Sequence, residues 1–254
     1  MKKLSSLCIR LCILPAVLLA PSLSAIAADI ETTQVYASNG QLEYVGDLDE
    51  AANRRLFDLY ENSSVKPTVL SIRSMGGDVD LGMALGAWVR EKKLDVKVLE
   101  FCLSSCANYV FPAGMKKIVS NFAVVGYHGG PGDPDKLSFD EETQARFDAL
   151  TAAEQKAVME DIRQMALVNC KRENAFLRSI DVRSDINSLG QEDRYKPLLD
   201  KNPKTVGWTY SLDGFARLGV RDISVINPPW KPGTALSGMV FVTIPVDRKA
   251  RSMP

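Results

Sequence analysis

Residues 68–88 read TVLSIRSMGGDVDLGMALGAW, and this stretch decides the fold. Thr68-Val69-Leu70-Ser71-Ile72 is a β-branched, apolar run, the pattern of a strand. Gly76-Gly77 breaks it. A helix then starts near Asp78, with Leu81, Ala84, Leu85 and Trp88 at i, i+3, i+4 and i+7 along one face. Strand, glycine turn and helix in this order make half of a crossover unit. The same rhythm recurs on both sides. Strands are expected at 31–37 and 42–45, then an Asp47- or Asp49-capped helix through Ala51, Leu56, Phe57 and Tyr60. Beyond the first stretch, a strand through Val96 and Val98 ends at Phe101. A short helix passes through Ala107 and Tyr109 and stops before Gly114. Strands follow at 117–119 and 123–127. Alternation of this kind implies parallel pairing in a layered α/β domain.

The C-terminal half is less regular. Residues 129–138 are a Gly-, Pro- and Asp-rich loop. One long helix is expected from about 140 to 177, its apolar seam made by Phe147, Leu150, Val158, Ile162 and Met165. Residues 181–207 are polar. Ser211 caps and Gly219 stops a short helix, and Val225-Ile226 is a last strand. The apolar run 239–245 is suited to pairing with a partner strand or another subunit.

Composition bounds the function. Of 254 residues, 46% are apolar and 24% charged, with 31 basic against 31 acidic side chains. These are values of a folded globular chain, and the balance gives no basic footprint for nucleic acid. One histidine, His128, excludes a multi-histidine metal centre. Residues 1–27 combine Lys2, Lys3 and Arg10 with an apolar run, Leu11 to Ala20, and the small-x-small site Ala25-Ile26-Ala27. This reads as a signal peptide cleaved after Ala27. The run is short and carries Pro15, so no stable membrane span is expected after cleavage. The remainder divides into a domain over 28–230 and a tail over 231–254, and is expected to be periplasmic or secreted. Cys102, Cys106 and Cys170 remain there. Cys102 and Cys106 could bridge, and the odd count leaves at least one thiol free or paired between chains.

Three places carry chemistry. Ser74-Met75-Gly76-Gly77-Asp78 can bring backbone N–H groups to a ligand, although a GG pair also serves as a plain turn. Cys102-Leu103-Ser104-Ser105-Cys106 would present a serine on a strand-to-helix turn, where serine more often merely caps the helix. His128 ends the strand 123–127 and is the one side chain of a type that changes charge near neutrality.

The stretches LEYVGDLDEAANRRLFDLY (42–60), VLSIRSMGGDVDLGMALGAWV (69–89), CLSSCANYVFPAG (102–114) and FAVVGYHGG (122–130) together resemble the Clp-type serine peptidases, the proteolytic subunits of bacterial Clp protease. A weaker match, TYSLDGFARLGVRDISVI, resembles their closing helix and strand. The resemblance implies a Clp/crotonase-like layered fold of repeated β-β-α units, with a long helical insertion after the catalytic histidine. It implies a peptidase cleaving amide bonds. Counting back from Ala113-Gly114 gives Ser105 as nucleophile, with Ser104 the fallback, and His128 matches the base. Gly77 matches the oxyanion glycine, with Gly76 beside it, and the Cys106 N–H would be the second donor. Gly207 and Trp208 occupy the place of the family's third residue, an Asp. Asp181, Asp185 and Asp193 are the substitutes to consider. Relatives assemble into rings or stacks, so a homo-oligomer acting on a peptide or protein substrate is expected, without a cofactor. A non-catalytic partner-binding member of the same fold, or a redox pair at Cys102 and Cys106, are the other readings.

Overall fold

A computed structural model describes residues 33–130, 141–233, 236 and 238–247. The segment 1–27, read from sequence as a signal peptide, and loop residues 131–138 lie outside the described residues. The main sheet has six strands in the order β1 (Gln34–Ser38), β2 (Gln41–Val45), β3 (Val69–Arg73), β4 (Asp95–Val98), β6 (Lys117–Ser120) and β9 (Ile223–Ile226). Only β1 and β2 pair antiparallel, as a hairpin through Asn39-Gly40; the other neighbours are parallel. Parallel strands covered on both faces need apolar runs. Leu42, Tyr44, Leu70, Ile72, Val96, Val98 and Val119 supply them, all buried. Helices α1 (Glu50–Asn62) and α2 (Val79–Glu91) are capped by Asp49 and Asp78, whose side chains accept from the Ala52 and Leu81 N–H groups. They bring Leu56, Leu85, Trp88 and Val89 to the same core.

The chain leaves this sheet where the sequence suggests continuity. The single strand expected from Val96 to Phe101 is two strands. After β4 the backbone bends at Leu99 and Glu100, and Ser120 Oγ donates to the Leu99 carbonyl at 2.6 Å. β5 (Phe101–Leu103) then pairs with β7 (Val124–Gly126) and bridges Ser74. β7 is extended by reciprocal backbone bonds between Tyr127 and Trp208, at 2.8 and 2.7 Å. Trp208 lies in β8 (Thr205–Tyr210), which pairs in parallel with β10 (Val240–Ile244). The apolar run 239–245 thus finds its partner within the chain.

A π-turn, Cys106–Val110, leads into α3 (Phe111–Ala113). It lies tight against α2. A Cβ on Gly86 would sit 2.4 Å from the Tyr109 carbonyl oxygen, and one on Gly82 would sit 3.0 Å from Ser105 Cβ.

The long helix expected over 140–177 is two helices, α4 (Glu141–Asp148) and α5 (Ala152–Ser179). The first ends at Asp148, Thr151 caps the second through a capping box with Glu154, and a β-region backbone at Thr151 is incompatible with one continuous helix. The expected seam does not enter the core. Met165 is 59% exposed, and among the described residues of α5 only Glu173 and Leu177 are buried. The polar stretch 181–207 is less superficial than it reads, since Ile186, Leu189 and Tyr195 are buried. It holds three short 3-10 turns and α6 (Lys196–Leu199). Ser211 caps α7 (Leu212–Arg217), and Gly219 follows it at φ +96°.

Candidate active site

The site forms where β3, β5 and β7 end side by side. After β3, Ser74 Oγ accepts from the Gly76 N–H at 3.1 Å, and the Gly76 carbonyl accepts from the Leu48 N–H at 2.7 Å. Gly76 and Gly77 take φ of +105° and +146°. Glycine is required here by space as well. A Cβ on Gly76 would lie 2.6 Å from Ser104 Cβ, and one on Gly77 would lie 2.6 Å from the Leu48 carbonyl oxygen.

After β5 the chain turns sharply into the π-turn. Ser104 sits at the apex with φ +53°, a left-handed conformation uncommon for a residue with a Cβ. Its N–H donates to the Gly126 carbonyl at 3.0 Å, and its carbonyl accepts from the Asn108 N–H at 2.8 Å. Cys102 and Cys106 form a disulfide across this turn, with Cα atoms 5.3 Å apart. His128, two residues beyond β7, places Nε2 2.7 Å from Ser104 Oγ.

The structure therefore joins the imidazole to Ser104 and not to Ser105. Ser105 is 2% exposed, and its hydroxyl donates to the Gly77 carbonyl at 2.8 Å. The π-turn is the physical reason for the difference. Counting back from Ala113-Gly114 assumes regular α spacing. The Phe111 N–H instead reaches the Cys106 carbonyl, five residues back, so the turn holds one extra residue. That residue shifts the exposed apex from Ser105 to Ser104. The backbone N–H that follows the apex is accordingly that of Ser105 rather than that of Cys106. Neither the Ser105 nor the Gly77 N–H donates a hydrogen bond within the described residues.

The three candidate carboxylates sit apart from the pocket lining that includes His128. Asp181 is exposed at the end of α5 with φ +59°, Asp185 is engaged by the Arg183 guanidinium, and Asp193 is exposed. None of the three lines the pocket that holds His128. Gly207 cannot be replaced by an acid in this fold, because its Cβ would fall 2.0 Å from the Tyr127 carbonyl oxygen.

Groups that the sequence reading missed take hold of the histidine loop. Asn108 Nδ2 donates a long bond, 3.5 Å, to the Gly129 carbonyl. Gln191 packs so close that a Cβ on Gly129 would lie 2.6 Å from its Nε2. A Cβ on Gly130 would lie 3.3 Å from Glu173 Oε1. Glu173 accepts from Tyr109 Oη at 2.8 Å and from Asn187 Nδ2 at 2.7 Å. Burial raises its pKa above the ordinary carboxylate value, and these two bonds pull the other way. Glu173 and Leu177 stand one helical turn apart, but periodicity alone does not separate a buried Glu from a solvated one.

Gly77, Val79, Ser104, Asn108, Tyr109 and His128 line part of an open pocket of about 390 Å³. A larger groove of about 520 Å³ beside Pro228, Trp230 and Leu212 contains no imidazole. No cluster of His, Cys, Asp and Glu able to hold a metal ion occurs among the described residues.

No protein-family model and no curated protein matches the chain. Among solved structures, an enoyl-CoA hydratase from Shewanella pealeana is similar over 36% of this chain and 48% of its own, with a TM-score of 0.28 and 8% identity. The chain thus spans about half the length of that hydratase. No described helix is long and apolar enough to cross a membrane.

Proposed function

We propose that this chain is a serine hydrolase of the Clp/crotonase type, a peptidase in which Ser104 is the nucleophile and His128 the general base. The observation that carries the reading is the 2.7 Å contact between Ser104 Oγ and His128 Nε2, made by a serine on a left-handed turn beside two backbone N–H groups that donate to nothing among the described residues. With the hydroxyl donating to Nε2, the imidazole takes the proton as Oγ attacks an amide carbonyl. The Gly77 and Ser105 N–H groups receive the developing oxyanion. One such donor contributes on the order of 10²–10³ in rate. The imidazolium then protonates the leaving amine, and water, deprotonated by the same imidazole, releases the acyl group. Ser105 is a positioning residue in this scheme, tying the Gly77 peptide to the nucleophile turn.

The mixed α/β fold with its parallel main sheet is compatible with the Clp/crotonase resemblance of the motifs, and the buried disulfide suits an oxidising, periplasmic or extracellular site. Assembly into a homo-oligomer is part of the proposal on the resemblance alone. Burial of both cysteines disfavours a thiol-exchange role. The non-catalytic reading draws support from the displaced carboxylates at Asp181 and Asp185.

A fluorophosphonate probe tests the choice. The full chain should label covalently, and His128→Ala and Ser104→Ala should each remove labelling while the fold persists. Wild-type protein that stays unlabelled across a wide pH range would leave the partner-binding reading.

A further inference from the structure

We propose that the Cys102–Cys106 disulfide is a positioning device that holds Ser104 in its left-handed conformation, so that reactivity of the serine depends on the bridge. The inference deepens the hydrolase reading and rests on it. Three observations meet at this turn. The disulfide links the middle of β5 to the first residue of the π-turn, four positions apart, and Ser104 lies at the midpoint of the closed ring. Both cysteines are fully buried, and each end of the ring is anchored. Cys102 is bridged to Ser74 and paired with Val125, while Cys106 accepts from the Phe111 N–H. Ser104 itself, at φ +53°, pays a conformational penalty that only over-determined surroundings can sustain.

Non-covalent anchors alone leave the turn a way out. The Ser104 N–H and C=O bonds to Gly126 and Asn108 and the Ser105 Oγ bond to the Gly77 carbonyl are single hydrogen bonds, and the Ser104 Oγ bond to His128 is partly solvent-facing. With the ring open, relaxation of Ser104 to negative φ would swing Oγ away from Nε2. It would also disturb the adjacent peptide, whose Ser105 N–H is an oxyanion donor. Closure of the ring removes that route, because Cys102 and Cys106 can no longer separate. Reduction breaks the Sγ–Sγ bond and adds two electrons and two protons to give two thiols. With dithiothreitol, the reductant becomes its cyclic disulfide.

The test compares the oxidised full chain with Cys102→Ala/Cys106→Ala, using fluorophosphonate labelling rate and amide hydrogen exchange over residues 101–110. The expected result is a folded variant, judged by near-UV circular dichroism, that labels about tenfold or more slowly and exchanges faster at residues 103–106. A folded variant with wild-type labelling and wild-type exchange overturns the proposal. Should the variant not fold, the wild type is reduced in dithiothreitol under native conditions and alkylated. Full-rate labelling in its folded, reduced fraction then overturns the proposal, and a loss of labelling in step with the bridge supports it. If the oxidised wild type does not label, the hydrolase reading fails. The exchange comparison then still decides whether the bridge holds the turn.

Discussion

Ser104 and Ser105 are adjacent alcohols with different surroundings: one meets the imidazole at the pocket, the other is sealed against the Gly77 carbonyl. The residue types were legible in the sequence, since Gly76, Gly77, His128 and the CLSSC turn all come together. Their phase was not, because a π-turn leaves no sequence mark that separates it from an α-turn. The third residue was also illegible. The resemblance points to position 207, but a side chain there collides with Tyr127, whereas Asn108, Glu173 and Gln191 reach the histidine loop from elements far apart in sequence. A direct consequence concerns Gly207→Asp, which places an acid where the resemblance expects one. It should give no gain in labelling and should lower stability by roughly 3 kcal/mol or more, through overpacking against a paired strand. Denaturant unfolding beside a labelling assay checks both parts.

The elements follow the same division. The strand–GG–helix unit over 69–91 and its Asp78 cap are written in local pattern, as is the Ser211-capped α7. The split of β4 from β5 is not, since both are apolar and only their different neighbours separate them. The seam of α5 misled for a related reason: helical periodicity reports an apolar face without saying whether anything covers it. Contact between α2 and the π-turn that follows Ser104 is the element-level requirement of the proposed site. Gly86→Ala would drive a methyl into the Tyr109 carbonyl and Phe176. We expect a loss of about 1–3 kcal/mol in stability and at least a tenfold drop in labelling, because Ser104 and Ser105 lead directly into the π-turn and move with it. Thermal unfolding and labelling rate, measured on the same sample, test this. Unchanged labelling would mean that the α2 contact does not set the serine.

At the scale of the whole molecule, buried ionisable groups set the alkaline behaviour. Lys117, 6% exposed in β6, has its pKa lowered to about 8 by burial, partly countered by Asp222 and Asp95. Its folded pKa lies below its unfolded value of 10.5, so the unfolded state binds more protons between them and stability rises with pH over that window. Below about pH 8 the full cost of the buried ammonium remains. Lys117→Met should therefore stabilise the protein at pH 7 by roughly 1–3 kcal/mol, with the advantage fading between about pH 8 and 10.5. Tyrosines act in the opposite sense. Burial pushes Tyr44 up to about 12 and also raises Tyr109, Tyr127 and Tyr210, so folding retains their protons and stability falls once pH passes 10. Urea unfolding from pH 7 to 11 should show the Lys117 gain first and the tyrosine loss after it.

The central claim is that two sequence-distant side chains, Ser104 and His128, form one reactive unit. Its most direct test is tandem mass spectrometry of the fluorophosphonate adduct on the peptide spanning 102–116. The account predicts a single adduct on Ser104, retained in Ser105→Ala and lost in His128→Ala. An adduct on Ser105, or labelling that survives in Ser104→Ala, would contradict it.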